Sequence, residues 1–353
     1  MSLTVLGWAV IHSLWQCTLL AGVAALILSI LPDSRARVRH LVAFAGLVAM
    51  VALPLATALA SADPMGESIR RPVMLAIDDA VGLPAVVEVR AFVVPAAAAL
   101  WLGGLILYAV KIGREWRRAQ QLQRLDLDEA GEPLESVVAE LRSQLSLRTS
   151  VDVRRSRRAT VPMVLGWIRP TILLPVGTAA SLAPRQLRAI LAHELAHVRR
   201  RDYLANLIQM AAETVLFHHP AAHWISRRIR TEREYCCDDV AVGVGSDPAD
   251  YARALAALDD ARDDCRLAVA AASGTLLDRI QRIVGHPRPM LTPMRGIAVL
   301  ATASLVAAIM IALTAVVPPD LPLDVKMRSR MPGPASGGPP PADAVSLPRT
   351  PQR

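Results

Sequence analysis

Aromatic side chains are scarce in this 353-residue chain: three Phe, four Tyr and six Trp make up 4% of it. Without aromatic platforms on which bases stack, the net charge of +8 does not point to direct nucleic-acid binding. The basic residues gather at the ends of apolar runs, where anionic lipid head groups account for them. Cysteine is equally sparse. Cys17, Cys236, Cys237 and Cys265 have no framework spacing, so a disulfide scaffold is excluded and the last three are expected as reduced thiols. The first apolar stretch lacks a basic leading region and runs into "LPDSRARVRH" instead of a small-residue cleavage site, so it reads as a retained span and not as a signal peptide.

Apolar residues, by contrast, make up 53% of the chain. Four almost uncharged stretches stand out, at Leu3 to Leu31, Leu41 to Ala60, Ala91 to Ile112 and Gly296 to Val317. Each is long enough to cross ~30 Å of hydrocarbon as a helix rising about 1.5 Å per residue. Arginines mark the cytoplasmic ends: Arg35, Arg37 and Arg39 follow the first stretch, and "KIGREWRRAQQLQR" follows the third. The loop between the second and third stretches carries Asp63, Glu67, Asp78, Asp79 and Glu88 and fits the outer side. The expected plan is a mainly α protein of the cell membrane with four transmembrane helices and both termini outside. A cytoplasmic domain, residues 113–295, lies between spans three and four, and a short Pro/Gly-rich tail, residues 318–353, is expected to be disordered.

Within that domain, Arg114 to Arg124 reads as a basic helical extension, "DLDEAGEPLE" as a turn-rich break, and Ser136 to Leu147 as a helix. "SVDVRRS" and "RPTILLP" read as strands. The second of these, near Thr171 to Leu174, is expected to present an edge to an extended peptide. Ser181 is positioned to cap a helix with Pro184 in its first turn, running through "LAHELAHVRRRD" to about Asp202. Helical sequence continues to Arg230, broken at "HHP" (His218 to Pro220), and "RTEREYCCDDVAV" sits on a further helix.

The chemistry concentrates at His193-Glu194-x-x-His197. Residues i and i+4 share a helix face, so the two imidazoles can aim nitrogens at one ion, and Glu194 can reach its water as general base. A peptidase zinc needs a third protein ligand and an open fourth position. Glu234 and Asp238 stand one helical turn apart; Glu234 can complete the set while Asp238 orients the distal nitrogen of a ligating imidazole. Glu232 is the rival third ligand but has no aspartate four residues on. His218, His219 and His223 read as turn or interface residues, Cys236 and Cys237 as core packing, and Asp202 as a helix-end residue pairing with nearby arginines. Tyr203, Tyr235 and Tyr251 are unranked candidates for an oxyanion donor.

At these residues the chain resembles the membrane-embedded zinc peptidases of the BlaR/MecR antirepressor type. The blocks that carry the resemblance are "VPMVLGWIRPTILLP", "LRAILAHELAHVRRRDYLANLIQ", "FHHPAAHWISRRIRTERE", "CDDVAV", "YARALAAL" and "LLDRIQRI", followed by a last apolar stretch. The resemblance implies an α+β zincin-like (gluzincin) domain holding one Zn2+ on His193, His197 and Glu234, with Glu194 as catalytic base and Asp238 as supporting carboxylate. It also implies a protein substrate such as a cytoplasmic transcriptional repressor, and self-cleavage, for which "RIQRIVGHPRPM" is an accessible target. The best-known members of this type carry an outer penicillin-binding sensor after the last span. Here the residues after Val317 are too few and too rich in Pro and Gly to fold as one, and no Ser-x-x-Lys motif occurs, the lysines being Lys111 and Lys326. β-Lactam acylation is therefore not expected of this polypeptide, which leaves room for a separate sensor subunit beside the lipid and substrate partners. Two other readings compete: a housekeeping zinc protease of the CAAX-processing type, whose spans would flank the zinc helix more closely, and a non-catalytic receptor, against which the intact Glu194 argues.

Overall fold

The computed structural model describes residues 3–61, 84–122, 127–166, 168–260 and 269–285, with single positions between 301 and 308. Three helices in it are long and apolar enough to cross a membrane: α1 (Leu3–Ile30), α2 (Ala36–Ser61) and α3 (Pro84–Leu122). The expected fourth span, Gly296 to Val317, lies outside the described residues apart from those single positions, and residues 62–83 and the segment 318–353 expected to be disordered lie outside them too.

Small residues let the three helices approach closely, as is usual where apolar attraction between helices competes with lipid. Gly7 backs onto the Val94 carbonyl with no room for a Cβ. Cys17, Ala21, Ala24 and Leu28 of α1 pack against Ala43, Leu47 and Met50 of α2. Arg39, buried near the start of α2, donates through Nη1 to the carbonyls of Leu28 (2.8 Å) and Leu31 (2.6 Å), which the end of α1 leaves without helical partners. Its Nε donates to Glu232 Oε1 at 2.8 Å, linking this first hairpin to a helix far along the chain.

The α3 helix continues past its apolar section to Leu122 without a break, as the basic extension suggested. A four-stranded mixed sheet follows, in the order β1-β2-β4-β3. Its strands are β1 (Leu127–Glu129), β2 (Asp152–Ser156), β3 (Met163–Leu165) and β4 (Thr171–Pro175). β1 occupies part of the stretch expected as a plain turn-rich break, and α4 (Glu132–Gln144) begins within the same stretch, with Pro133 in its first turn. The expected substrate edge near Thr171 to Leu174 is not an edge. β4 pairs in parallel with β2 and antiparallel with β3, so it is interior, and Ile172, Leu173 and Leu174 are fully buried. The outer strand on that side is β3.

The short helix α5 (Val176–Ser181) precedes α6 (Pro184–Arg200), and Ser181 closes the former instead of capping the latter. Ala183 stands at the cap, and Gln186 Oε1 accepts its backbone N–H at 3.0 Å. Pro184 occupies the first turn, where a missing N–H costs little. One side of α6, including Ala189, Ile190, Leu191 and Leu195, packs on Ile172 and Leu174 of β4, on Leu134, Val138 and Leu141 of α4, and on Tyr251 and Leu255 of α9 (Pro248–Asp260). Arg201, at φ 56° and ψ 39°, ends α6 in the left-handed conformation and starts α7 (Asp202–Val215) on a new axis. After the "HHP" turn, α8 (Pro220–Gly243) runs as one helix through Glu234 and Asp238. The last described helix, α10 (Val269–Ile283), packs on α8 and α9.

Candidate metal centre

His193 and His197 face each other across one turn of α6, with their Nε2 atoms 3.2 Å apart. Glu234, from α8, brings Oε2 to 3.4 Å from His193 Nε2 and Oε1 to 3.9 Å from His197 Nε2. One ligand atom from each of the three residues thus lies within 4.8 Å of the others. Both imidazoles are held from behind. His197 Nδ1 is 2.8 Å from Asp202 Oδ2, and His193 Nδ1 is 2.8 Å from the Tyr251 hydroxyl and 3.2 Å from Asp238 Oδ1. With each Nδ1–H turned to an oxygen, both Nε2 atoms present lone pairs, a tautomer assigned from these contacts. Two lone pairs and a carboxylate converging on one point repel unless a cation or proton sits among them. The donor set therefore fits a zinc ion, with nitrogen and oxygen ligands and no thiolate in the triad.

The surrounding charges agree. Burial opposes protonation of His193, yet hydrogen bonds to Asp238 and Glu234 outweigh it and raise its pKa to about 9. Burial would likewise raise Glu234, but its hydrogen bond to His193 and the charges of His193, His197 and Arg279 hold it well below the usual carboxylate range. The cluster favours positive charge at its centre.

Asp238 stands where a supporting carboxylate is expected, one turn beyond Glu234 and on the Nδ1 side of His193. Glu232, the rival third ligand, is turned away: it is fully buried, with Arg39 Nε and Arg228 Nη2 each 2.8 Å from its Oε1. Glu194 is nearly buried and lines a cleft of about 1050 Å³ together with His193, His197 and Glu234. Met163, Val164 and Leu165 of β3 form part of the same wall, so the outer strand borders the cleft.

Four features of the site were not assigned from the sequence. Asp202 does pair with Arg200 Nε, at 3.3 Å, but its other oxygen holds His197. Cys237 is more than packing, since its thiol points to Asp202 Oδ2 at 3.5 Å and lies 3.4 Å from His197 Nδ1. Tyr251 is behind His193, donating to Asp238 Oδ1 at 2.6 Å, which makes it a buried support and places it on the wrong side for an oxyanion donor. Arg279 of α10 clamps Asp238 through Nε (3.0 Å to Oδ2) and Nη2 (2.7 Å to Oδ1), and its Nη1 is 3.2 Å from Glu234 Oε2. Of the three tyrosines considered as oxyanion donors, Tyr203 lines the cleft, while Tyr235 is buried under the Arg282 guanidinium. The histidines at the turn serve as turn and interface residues. His219 Nδ1 accepts from Ala221 N at 3.1 Å, and His223 Nε2 is 2.7 Å from the Phe217 carbonyl.

A family model described as BlaR1 peptidase M56 matches residues 4–283. Among similar proteins, the regulatory protein BlaR1 of Bacillus licheniformis is 30% identical over 97 residues, 28% of this chain and 16% of that protein. The methicillin resistance mecR1 protein of Staphylococcus aureus is 20% identical over 139 residues, 39% of this chain and 24% of that protein. The aligned part of this chain thus spans at most 24% of either relative's length. The match to the family model is far wider, running from the first apolar helix through the paired imidazoles and Glu234 to Arg279, and on that extent the chain belongs to the BlaR1 peptidase M56 family.

Proposed function

We propose that this protein is a membrane zinc endopeptidase acting in signalling, with His193, His197 and Glu234 as metal ligands and Glu194 as general base. The observation that carries the reading is the convergence of three donor atoms, each imidazole braced at Nδ1, on a cleft that Glu194 also lines. Zinc at this point would supply a Lewis acid that polarises a scissile carbonyl and makes water more acidic. Glu194 takes the proton from the attacking water and later passes it to the leaving amine. Asp238 and Asp202 fix the tautomers of His193 and His197, so that Nε2 of each remains available. Of the three candidate tyrosines, Tyr203 is the one that lines the cleft, and it is our candidate for the oxyanion donor. Among the described residues the outer strand β3 has a strand neighbour on one side only, it borders the cleft, and an extended peptide can add to it there.

The substrate is a protein, and we infer a cytoplasmic one, such as a transcriptional repressor, because the arginines after the first and third apolar stretches favour that side. The Bacillus licheniformis relative is named a regulatory protein, which is the support for a role in signalling. Self-cleavage within "RIQRIVGHPRPM" belongs to the same reading, with one condition. Its first residues are helical in α10, with Arg279 bound at the site and Arg282 Nη2 2.9 Å from Asp239 Oδ2, so that turn must undock before it can extend across β3.

Glu194→Gln tests the assignment. Purified in detergent, the variant is expected to keep its metal while cleavage of an unstructured protein substrate falls by about 10²- to 10⁴-fold. Equal activity in the two proteins would overturn the enzyme reading.

A further inference from the structure

The hairpin formed by α7 and the first turns of α8 packs on the apolar helices rather than on the sheet. Ala212, Leu216, Ala222, Ile225 and Ile229 share one core with Cys17, Ala21 and Leu28 of α1 and Leu47 and Met50 of α2. The tip of the hairpin meets residues near the middle of α1. His219 Nε2 donates to the Leu14 carbonyl at 3.0 Å, and His218 Nε2 is 3.3 Å from Ser13 Oγ. It also meets the middle of the apolar section of α3, where Trp101 Nε1 donates to the Val215 carbonyl at 2.9 Å and Phe217 lies so close to Gly104 that a Cβ there has no room.

The outward face of α7 consists of Leu204, where it borders the cleft, and then Leu207, Ile208, Ala211 and Val215, all exposed, with no polar residue among them. In water such a stripe would be a costly apolar patch. From Leu204 to Val215 the helix rises ~16 Å at about 1.5 Å per residue, about half of a ~30 Å hydrocarbon layer. The outward face of α8 changes character at a matching depth. Pro220 and Trp224 near the tip are followed by Arg227 and Arg230, and Arg227 lies ~10 Å below Pro220 along the axis, within snorkelling reach of head groups. The one carboxylate on α7 beyond its first residue, Glu213, is paired with Arg230 Nη1 at 2.6 Å, as an acid at this depth requires.

We propose that α7 and the first turns of α8 form a re-entrant hairpin, immersed in one leaflet to about the bilayer midplane, with lipid acyl chains covering the α7 face. Neither helix of the hairpin crosses the membrane. This goes beyond the peptidase reading and does not rest on it.

The test uses the full chain in liposomes, carrying Cys265→Ser so that the remaining native cysteines are the buried Cys17, Cys236 and Cys237. A fluorophore is attached to Leu207→Cys, Ile208→Cys or Val215→Cys, and to Ser150→Cys on the exposed loop before β2 as a control. Phospholipids brominated at successive acyl positions are expected to quench the three α7 labels several-fold, with the Val215 label quenched from the deepest position and all three shielded from aqueous iodide. The Ser150 label should respond only to iodide. Iodide quenching of the α7 labels would overturn the proposal. So would shielding from both quenchers, which would mean that another protein surface, such as a second copy, covers the face. Repeating the measurement in the Glu194→Gln background gives the same pattern, so failure of the peptidase reading and failure of this one are distinguishable.

Discussion

Asp202 Oδ2 lies 2.8 Å from His197 Nδ1, although on a continuous helix the two residues would point apart. The left-handed turn at Arg201 brings the carboxylate back under the imidazole. Replacing it tests whether it tunes the site. Asp202→Ala is expected to weaken zinc binding by about 10- to 100-fold, the usual effect of losing the partner of a ligating imidazole. Competition with a chromophoric chelator measures it, and an unchanged affinity would show that the contact is structural only.

Glu232 and Glu234 are two residues apart and have opposite surroundings. Glu234→Ala should abolish stoichiometric zinc in the purified protein. Glu232→Ala should keep the zinc but destabilise the fold by about 3–5 kcal/mol, because Arg39 and Arg228 lose the buried carboxylate between them. Metal analysis combined with thermal unfolding separates the two variants, and loss of metal from the Glu232 variant alone would reverse the assignment.

Arg279 reaches the site from α10 and binds both acids of α8. Arg279→Ala leaves Asp238, which is 1% exposed, without its cation, and a loss of about 3–5 kcal/mol is expected. Arg279→Lys should recover only part of this, since an ammonium cannot reproduce the two parallel contacts of the guanidinium with Asp238. Denaturant midpoints of the three proteins give the comparison.

Removing metal should loosen the same region. At zinc concentrations about 100-fold above Kd the ion contributes ~2.7 kcal/mol to the folded state, so dialysis against a chelator lowers Tm and added zinc restores it. Magnesium should not restore it, because it prefers oxygen ligands and octahedral geometry. A Tm indifferent to chelation would count against a resident ion.

Arg201 holds a conformation that costs a side-chain-bearing residue roughly 1–2 kcal/mol. Arg201→Gly should therefore unfold no earlier than the parent protein, and Arg201→Val markedly earlier. Thermal unfolding of the pair tests whether the turn must be left-handed.

The spacing in the sequence was enough to place His193, Glu194 and His197 on one helix and Glu234 with Asp238 on another, because both patterns depend only on helical periodicity. What periodicity cannot supply is the meeting of helices. Tyr251 and Arg279 reach Asp238 from α9 and α10 through packing, which leaves no local mark. Asp202 was hidden for another reason. Five residues along a straight helix separate two side chains by about 140°, so only the break at Arg201 allows the contact. The misplaced edge strand had its signal in plain view: "RPTILLP" does not alternate, and a continuous apolar run is the mark of a strand covered on both sides. The cap assigned to Ser181 failed because Gln186 satisfies the same backbone group from inside the helix.

Arg39 closes the end of α1 with one nitrogen and grips Glu232 with another, and Glu232 lies just over half a turn ahead of Glu234. Three chain segments therefore share a single guanidinium, and none can slide without straining the others. The hairpin of α1 and α2 is thereby tied to the same stretch of α8 that carries Glu234, so the anchorage of the apolar helices and the placement of that carboxylate rest on one shared guanidinium.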